Sequence, residues 1–366
     1  MMNQINKRCA VIAGASLAGL MTGIALSRKG IHTIILERSG ERKATGAVLQ
    51  VDHGTTDLSA DARFIRKIAS AGMQKADAWM DIEKRLKKYA ESDSNIDLRY
   101  QTKVEEIGQD NKGAWLITDK GERVSGQLVI GADGYRSVVR KKVAPHHPDN
   151  TYAGYLIWLT LMPENRIDQK YRFGKDAPIL SIHDELGELL LGTMLTGPLG
   201  ETTPGERRIG FGWYDNTINE MLRESGCIEG NVVNHTLYAN DISDKQWAIL
   251  ESKAIKRWPQ PWLDAALHSI RTKTLIGVPV AEYLPERLVN GKIALVGDAA
   301  HLSSPMAANG FNGALEDAVT LANCVEKYLD KGDIDTALMD YESRRLKAVR
   351  SLVNSGRPFS QSFGII

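Results

Sequence analysis

Gly14, Ser16 and Gly19 stand in the spacing Gly-x-Ser-x-x-Gly, directly after an apolar run at residues 9–13. A carboxylate, Glu37, closes the next apolar run, with Arg38 beside it. Such a set suits one kind of chemistry. The first glycine permits a tight turn and the last a close helix–strand approach. A small residue between them lets backbone N–H groups reach a phosphate. An acid at that distance takes a ribose hydroxyl pair. The pattern predicts a dinucleotide held by its pyrophosphate and one ribose. Two acidic turns join it. Gly131-Ala132-Asp133-Gly134 leads into Arg136, Ser137 and Arg140. Gly297-Asp298-Ala299-Ala300-His301 leads into Pro305, Asn309-Gly310, Asn312 and Glu316-Asp317. Either turn alone reads as an ordinary acidic loop after a strand. The three signals in this order are hard to obtain by accident.

The elements around these residues must position them. Residues 9–13 read as a buried parallel strand, 20–29 as a helix closed by Gly30, and 31–36 as a second strand, together a β-α-β unit. Residues 51–75 are polar and poorly patterned. A helix is expected over 79–89, with Ile82, Leu86 and Tyr89 on one face, and strands over 96–107, 113–118 and 127–131. From 151 to 275 the pattern changes to strand-like pieces at 155–161, 189–194 and 208–213, with helical stretches at 216–224 and 260–270. A buried strand at 292–296 and helices at 310–328 and 333–354 then bring back the alternation of strand and helix. The expected fold class is α/β: a Rossmann-like dinucleotide domain with an inserted, mainly β-sheet domain and C-terminal helices. The first domain would be discontinuous, comprising 1–75, 76–150 and 276–366, and the insert would span 151–275.

The bulk properties exclude several classes. A formal net charge of +1 over 366 residues argues against a nucleic-acid partner, which would favour a basic surplus. Cys9, Cys227 and Cys324 lie far apart and form no Cys-x-x-Cys, so neither a disulfide framework nor a metal site is expected. No apolar stretch approaches the about 20 residues that span a bilayer. The polar residues 1–8 do not read as a signal peptide, and the expected location is cytoplasmic.

With these motifs in hand, the chain resembles the FAD-dependent aromatic hydroxylases, the group that includes 4-hydroxybenzoate and salicylate hydroxylases. It looks closest to the branch acting on hydroxylated pyridines, such as 2,6-dihydroxypyridine 3-hydroxylase. Tyr152-Ala153-Gly154-Tyr155 with Trp158, Phe211-Gly212-Trp213-Tyr214, and Tyr341-Glu342-x-x-Arg345 extend the resemblance over nearly the whole chain. The resemblance implies a flavoprotein monooxygenase. It would hydroxylate a small phenolic or hydroxylated N-heteroaromatic ring with O₂ and NADH or NADPH, through a flavin C4a-hydroperoxide. Gly14, Ser16 and Gly19 would hold the FAD pyrophosphate, Glu37 with Arg38 the adenosine side, and Asp298 the ribityl chain. Asp133 with Arg136 would brace the cleft that NAD(P)H visits, since no second fingerprint offers it a Rossmann domain. Pro305, Gly310 and Asn312 would run along the isoalloxazine. A homodimer is compatible with this reading. The alternative is a flavin-binding accessory or regulatory protein with weak or no hydroxylase activity.

Three departures from the family pattern stand out. The flavin loop reads Pro305-Met306-Ala307-Ala308-Asn309-Gly310 rather than Pro-x-x-Gly-Gln-Gly. Trp79 stands where many members carry an arginine. The stretch from Gly46 to Trp79 is short. The resemblance places the strand carrying Phe211 to Tyr214 at the substrate pocket. Strand alternation turns Trp213 and Tyr214 to opposite faces, so only one can line it. Tyr214 is the choice, as a phenol that can bond a ring hydroxyl while its face packs on the ring. His301 is the candidate proton relay, because imidazole titrates near neutrality. The plain alternative is that Tyr214 packs and His301 caps the Asp298 turn. His183, His235 and His268 read as surface or satisfied core, and His53 as a secondary candidate.

Overall fold

The computed structural model describes residues 8–40, 47–51, 59–70, 76–178 and 180–365. His53, with the rest of 52–58 and 71–75 in the short stretch between Gly46 and Trp79, lies outside the described residues.

The first strand, β1 (Cys9–Ala13), is buried along its whole length, which is why its run is apolar without alternation. Ser16 stands at the N-cap position of α1 (Leu17–Ser27), and β2 (His32–Leu36) returns parallel to β1. A short antiparallel pair follows, β3 (Val48–Gln50) with β4 (Ala76–Ala78). Between its strands lies α2 (Ala60–Ala69), and α3 (Trp79–Ser92) leaves directly from β4. β5 (Ile96–Arg99) pairs parallel with β2. The expected single strand over 96–107 is broken at Gln101, whose φ is +52°, and the chain changes sheet there. β6 (Val104–Gln109), β7 (Ala114–Thr118) and β8 (Arg123–Gly126) form a separate three-stranded sheet. β9 (Leu128–Gly131) then enters beside β1, and α4 (Val138–Val143) follows it.

The second sheet is antiparallel. It contains β10 (Thr151–Pro163), β11 (Ser181–Glu185), β12 (Glu188–Leu195) and β13 (Arg208–Asp215), then, after α5 (Asn219–Glu224), the small hairpin β14 (Ile228–Glu229) and β15 (Val232–Val233), α6 (Asp244–Arg257) and α7 (Trp262–Arg271), the closing strand β16 (Ile276–Glu282). The order is β11-β12-β13-β10-β16. β16 pairs with β10, so the expected boundary at residue 276 is corrected: the second sheet continues to Glu282. One face carries Trp158, Leu190, Phe211 and Trp213 into a core shared with Trp247 of α6 and Trp262 of α7. The opposite face carries Tyr155, Ile157, Leu189 and Tyr214.

The chain then returns to the first sheet. β17 (Val289–Asn290) and β18 (Ile293–Leu295) add to β9, giving the order β17-β18-β9-β1-β2-β5. α8 (Gly310–Leu329) packs on α1, and α9 (Ile334–Phe363) packs on α8. α9 runs beyond the helix expected at 333–354. Its last turns reach the second sheet, where Phe359 and Phe363 meet Tyr155 and Tyr214 edge-on. Pro358 lies inside α9 and removes one helix hydrogen bond just before that contact. Three helices escape the sequence pattern, α4 because it is only six residues long. α2 buries only Ala62, Ile65 and Ala69, and α6 only Trp247, Leu250 and Ala254, so each apolar stripe is thin.

Candidate active site

Backbone crowding accounts for the glycines of the first motif. Gly14 has φ +99°, and a Cβ there would lie 2.4 Å from the carbonyl oxygen of Ala132. A Cβ on Gly19 would lie 1.9 Å from the carbonyl oxygen of Gly14. The turn, the first helix and β9 are therefore pressed together with no room for a side chain. Ser16 makes no side-chain cap to α1, so the first-turn N–H groups stay open to an anion. Glu37 is 5% exposed. Its carboxylate accepts from the N–H of Ala15 and the N–H of Ser39, both at 2.9 Å, which fixes the turn against the end of β2. Arg38 beside it is exposed.

The second motif is a brace. The Asp133 carboxylate accepts from the Ser137 hydroxyl at 2.5 Å and from the N–H of Val138 at 2.7 Å, so it caps α4. Burial pushes its carboxyl up, against these bonds. Arg136 is exposed. Arg140, given no role by sequence reasoning, is 1% exposed. Its guanidinium donates to the carbonyls of Tyr135 (2.6 Å), Pro148 (2.6 Å) and Ala299 (3.1 Å), and lies over the Tyr283 ring. It ties the second motif to the third across the sheet.

In the third motif, Asp298 is exposed. It is nonetheless surrounded deeply enough that burial pushes its carboxyl up, opposed by His301 and Arg140. His301 is 2% exposed and its Nε2 lies 2.8 Å from Asp317. Asp317 also accepts from the N–H of Gly297 at 3.0 Å and from Nε of Arg345 at 2.8 Å. Burial alone would raise the Asp317 carboxyl, but His301, Arg345 and Gly297 outweigh it and hold it below the usual range. His301 is thus enclosed between α8 and α9, near Gly313 and Leu352. This geometry corrects the expectation of a relay beside Tyr214: His301 braces the Asp298 turn.

The loop after that turn ends at Ser304, followed by exposed Pro305 and by Ala308 with φ +51°. Asn309 caps α8 with no side-chain bond, leaving the helix N-terminus at Gly310 open. Asn312 accepts from Arg66 at 2.6 Å through its carbonyl, while its buried Nδ2 has no partner among the described residues. Ser304 joins this loop to the second sheet, its hydroxyl lying 2.8 Å from that of Tyr155. Tyr155 stacks on Tyr214 with ring centroids 5.9 Å apart. Tyr214 is 5% exposed, makes no hydrogen bond among the described residues, and has its phenol pushed up by burial. At the other end of this face Arg208 is held by Asp81 at 2.6 Å and borders a cavity of about 220 Å³ with Ala47, Ala78, Met80 and Leu161. A larger groove of about 610 Å³ between residues 165–172 and α7 touches none of the motif residues.

These residues fit a flavin dinucleotide. The cradle at Gly14 and Gly19, the uncapped start of α1, the unpartnered amide of Asn312 and the open helix end at Gly310 are each shaped for an anionic, hydrogen-bonding ligand. The profile of the family described as FAD binding domain matches residues 8–80, 78–169 and 224–355. The chain belongs to this family. Within it, the 2,6-dihydroxypyridine 3-monooxygenase of Paenarthrobacter nicotinovorans is 26% identical, over 96% of this chain and 90% of the relative. The FAD-dependent urate hydroxylase of Klebsiella pneumoniae is 24% identical, over 95% and 88%. The 3-hydroxybenzoate 6-hydroxylase of Klebsiella oxytoca is 23% identical, over 97% and 88%. The solved 2,6-dihydroxypyridine-3-hydroxylase of Arthrobacter nicotinovorans shares the fold, with TM-score 0.75 at 20% identity over 99% of this chain and 94% of that one. This member of the FAD binding domain family is an enzyme, a flavin-dependent monooxygenase acting on aromatic substrates. No described helix is long and apolar enough to cross a membrane.

Proposed function

We propose that this chain hydroxylates a small phenolic or hydroxylated N-heteroaromatic ring, using NAD(P)H and O₂. The observation that carries the proposal is the Tyr155–Ser304 contact at 2.8 Å, which sets the apolar sheet face of Tyr214 against the loop leading out of the Asp298 turn. The balance is ring C–H + O₂ + NAD(P)H + H⁺ → ring C–OH + NAD(P)⁺ + H₂O. FAD, when bound, supplies hydride acceptance and the activation of O₂. Gly14, Ser16 and Gly19 would hold its pyrophosphate, Glu37 and Arg38 its adenosine side, and Asp298 its ribityl chain. Pro305, Gly310 and Asn312 would border its ring system, the open end of α8 favouring negative charge there. Arg136, exposed beside a fully engaged Asp133, is the cation available to a visiting nicotinamide dinucleotide. The Tyr214 phenol, protonated at neutral pH and pushed further up by burial, would donate a hydrogen bond to a ring oxygen. The closed aromatic packing around it excludes water from that end of the pocket. A reducing, cytoplasmic setting suits the three free, buried cysteines.

The test uses flavin-loaded protein with NADH or NADPH and, in turn, 2,6-dihydroxypyridine, uric acid, 3-hydroxybenzoate and a wider panel of hydroxylated rings. At least one ring should accelerate NAD(P)H oxidation by about tenfold or more, with one oxygen atom added to the product. Loaded protein that responds to no member of the panel and forms no hydroxylated product would overturn the proposal.

A further inference from the structure

The second sheet holds five glycines within its strands, and four have a structural cause. Gly154 has φ +86°, and a Cβ there would meet the backbone of Ile365 at 2.7 Å. A Cβ on Gly192 would press on Trp262 at 2.6 Å, on Gly277 against Trp158 at 2.8 Å, and on Gly210 against the carbonyl oxygen of Thr160 at 2.7 Å. Gly212 is different. Its φ is not in the left-handed region, and a Cβ would meet only side-chain carbons, Ile157 at 3.3 Å, Tyr214 Cε2 at 3.6 Å and Leu159 at 3.7 Å. Packing within the protein does not require glycine there. A glycine in the middle of a strand weakens the sheet, and where nothing in the fold demands it, it marks close approach by something else.

The surroundings show what that would be. Gly212 sits directly between Leu159 of β10 and Leu191 of β12 in the cross-strand register, and both leucines are only partly buried. The next row on the same face is Ile157, Tyr214 and Leu189. The result is a flat apolar floor, one side chain deep at its edges and bare at its centre. Along one border stands Tyr214, buried and without a hydrogen-bond partner among the described residues. Beyond Tyr214 the floor is closed by Phe359 and Phe363.

We propose that Gly212 is the specificity-determining residue of the substrate pocket: the bench on which a single planar hydroxylated ring lies, between Leu159 and Leu191, with its hydroxyl toward Tyr214. The inference rests on the proposed hydroxylase function and its substrate face. A methyl group at this position takes the space of the ring face and leaves the fold intact.

Gly212→Ala, with Gly277→Ala as a control, tests it in the flavin-loaded enzyme. The probe is whichever of 2,6-dihydroxypyridine, uric acid and 3-hydroxybenzoate stimulates NAD(P)H oxidation and raises the Tm of the unsubstituted protein. Gly212→Ala should keep its FAD content and its ligand-free Tm, or gain a few degrees from the better strand residue. It should raise KM for the probe by about tenfold or more, the scale of one misplaced methyl(ene) in a tight pocket, and abolish the probe's effect on Tm. Gly277→Ala should instead lower the ligand-free Tm. A Gly212→Ala protein with unchanged KM overturns the inference and leaves the hydroxylase reading standing. One that loses its fold or its FAD shows the glycine to be structural, which also overturns it. If no probe stimulates oxidation or shifts Tm in the unsubstituted protein, the substrate-face reading fails and the role of Gly212 with it.

Discussion

The turn of the first motif, proposed as a phosphate cradle, and the second sheet, proposed as the substrate face, both use glycine, for opposite reasons. At the cradle, Gly14 and Gly19 are forced by backbone oxygens that a Cβ would meet at 2.4 and 1.9 Å. At Gly212 the nearest atoms are side-chain carbons, the closest at 3.3 Å, so a neighbour need give by only a few tenths of an ångström. The first region has its shape built into the main chain, so substitution breaks it. The second is upholstered with side chains, so substitution re-tailors it. A fold can therefore keep one cofactor while its substrate drifts.

The sharpest way to break this contrast is at Gly19. Gly19→Ala should abolish the flavin-loaded state, with FAD content in the purified protein falling about tenfold or more as the cradle is forced open. Retention of FAD at normal stoichiometry would show that the cradle is as forgiving as the sheet.

A smaller but still large effect is expected behind the Asp298 turn. Asp317→Asn removes a buried carboxylate that serves Arg345, His301 and Gly297 together. It should cost about 3–5 kcal/mol in denaturant unfolding, the range for a broken buried ion pair. The pH dependence has a definite sign. Asp317 is held below its ordinary value of 3.8, so its contribution to stability is present above that value and is lost as pH falls through the depressed folded pKa. Acid unfolding monitored from pH 5 downward should be steeper in the unsubstituted protein than in Asp317→Asn. Equal slopes would remove Asp317 from the account.

The mildest expected effect belongs to the sheet. Tyr214→Phe keeps the stack on Tyr155 and the edge contacts to Phe359 and Phe363, and loses only an unpartnered hydroxyl. Tm and FAD content should hold. Substrate-stimulated NAD(P)H oxidation should fall by about tenfold, the value of one hydrogen bond made to a reacting ring. Unchanged kinetics would reduce Tyr214 to packing.

What could be read from the residues alone follows the range of the contacts. Gly14, Gly19 and Glu37 work within one β-α-β unit, so their spacing carries their role. Strand alternation correctly turned Trp213 and Tyr214 to opposite faces, because it needs only the strand. Arg140 and Ala299 meet across 159 positions and Tyr155 and Ser304 across 149, and no local pattern announces either pair. Nearness in sequence misled at His301. The turn from Gly297 is closed by the His301 N–H on the Gly297 carbonyl, and the His301 side chain is buried against Asp317, sixteen positions on. Arg345 ends the Tyr341-Glu342-x-x-Arg345 motif, but only its bonds to Asp317 and Glu316 reveal what it does.

The last turns of α9 carry a consequence for how such chains can be recombined. The N–H of Ile365 donates to the carbonyl of Gly154, the Asn216 amide holds the carbonyl of Phe363, and the Asn219 amide that of Ile365. The second sheet is thus stitched shut by residues more than 140 positions away in sequence. A chimera that exchanged residues 151–282 alone would inherit a seam without its thread. Gly154, Asn216 and Asn219 would face a foreign helix end, and Tyr155 and Tyr214 foreign aromatics. On the proposed substrate face, specificity would be transplanted in two pieces, residues 359–365 being the second.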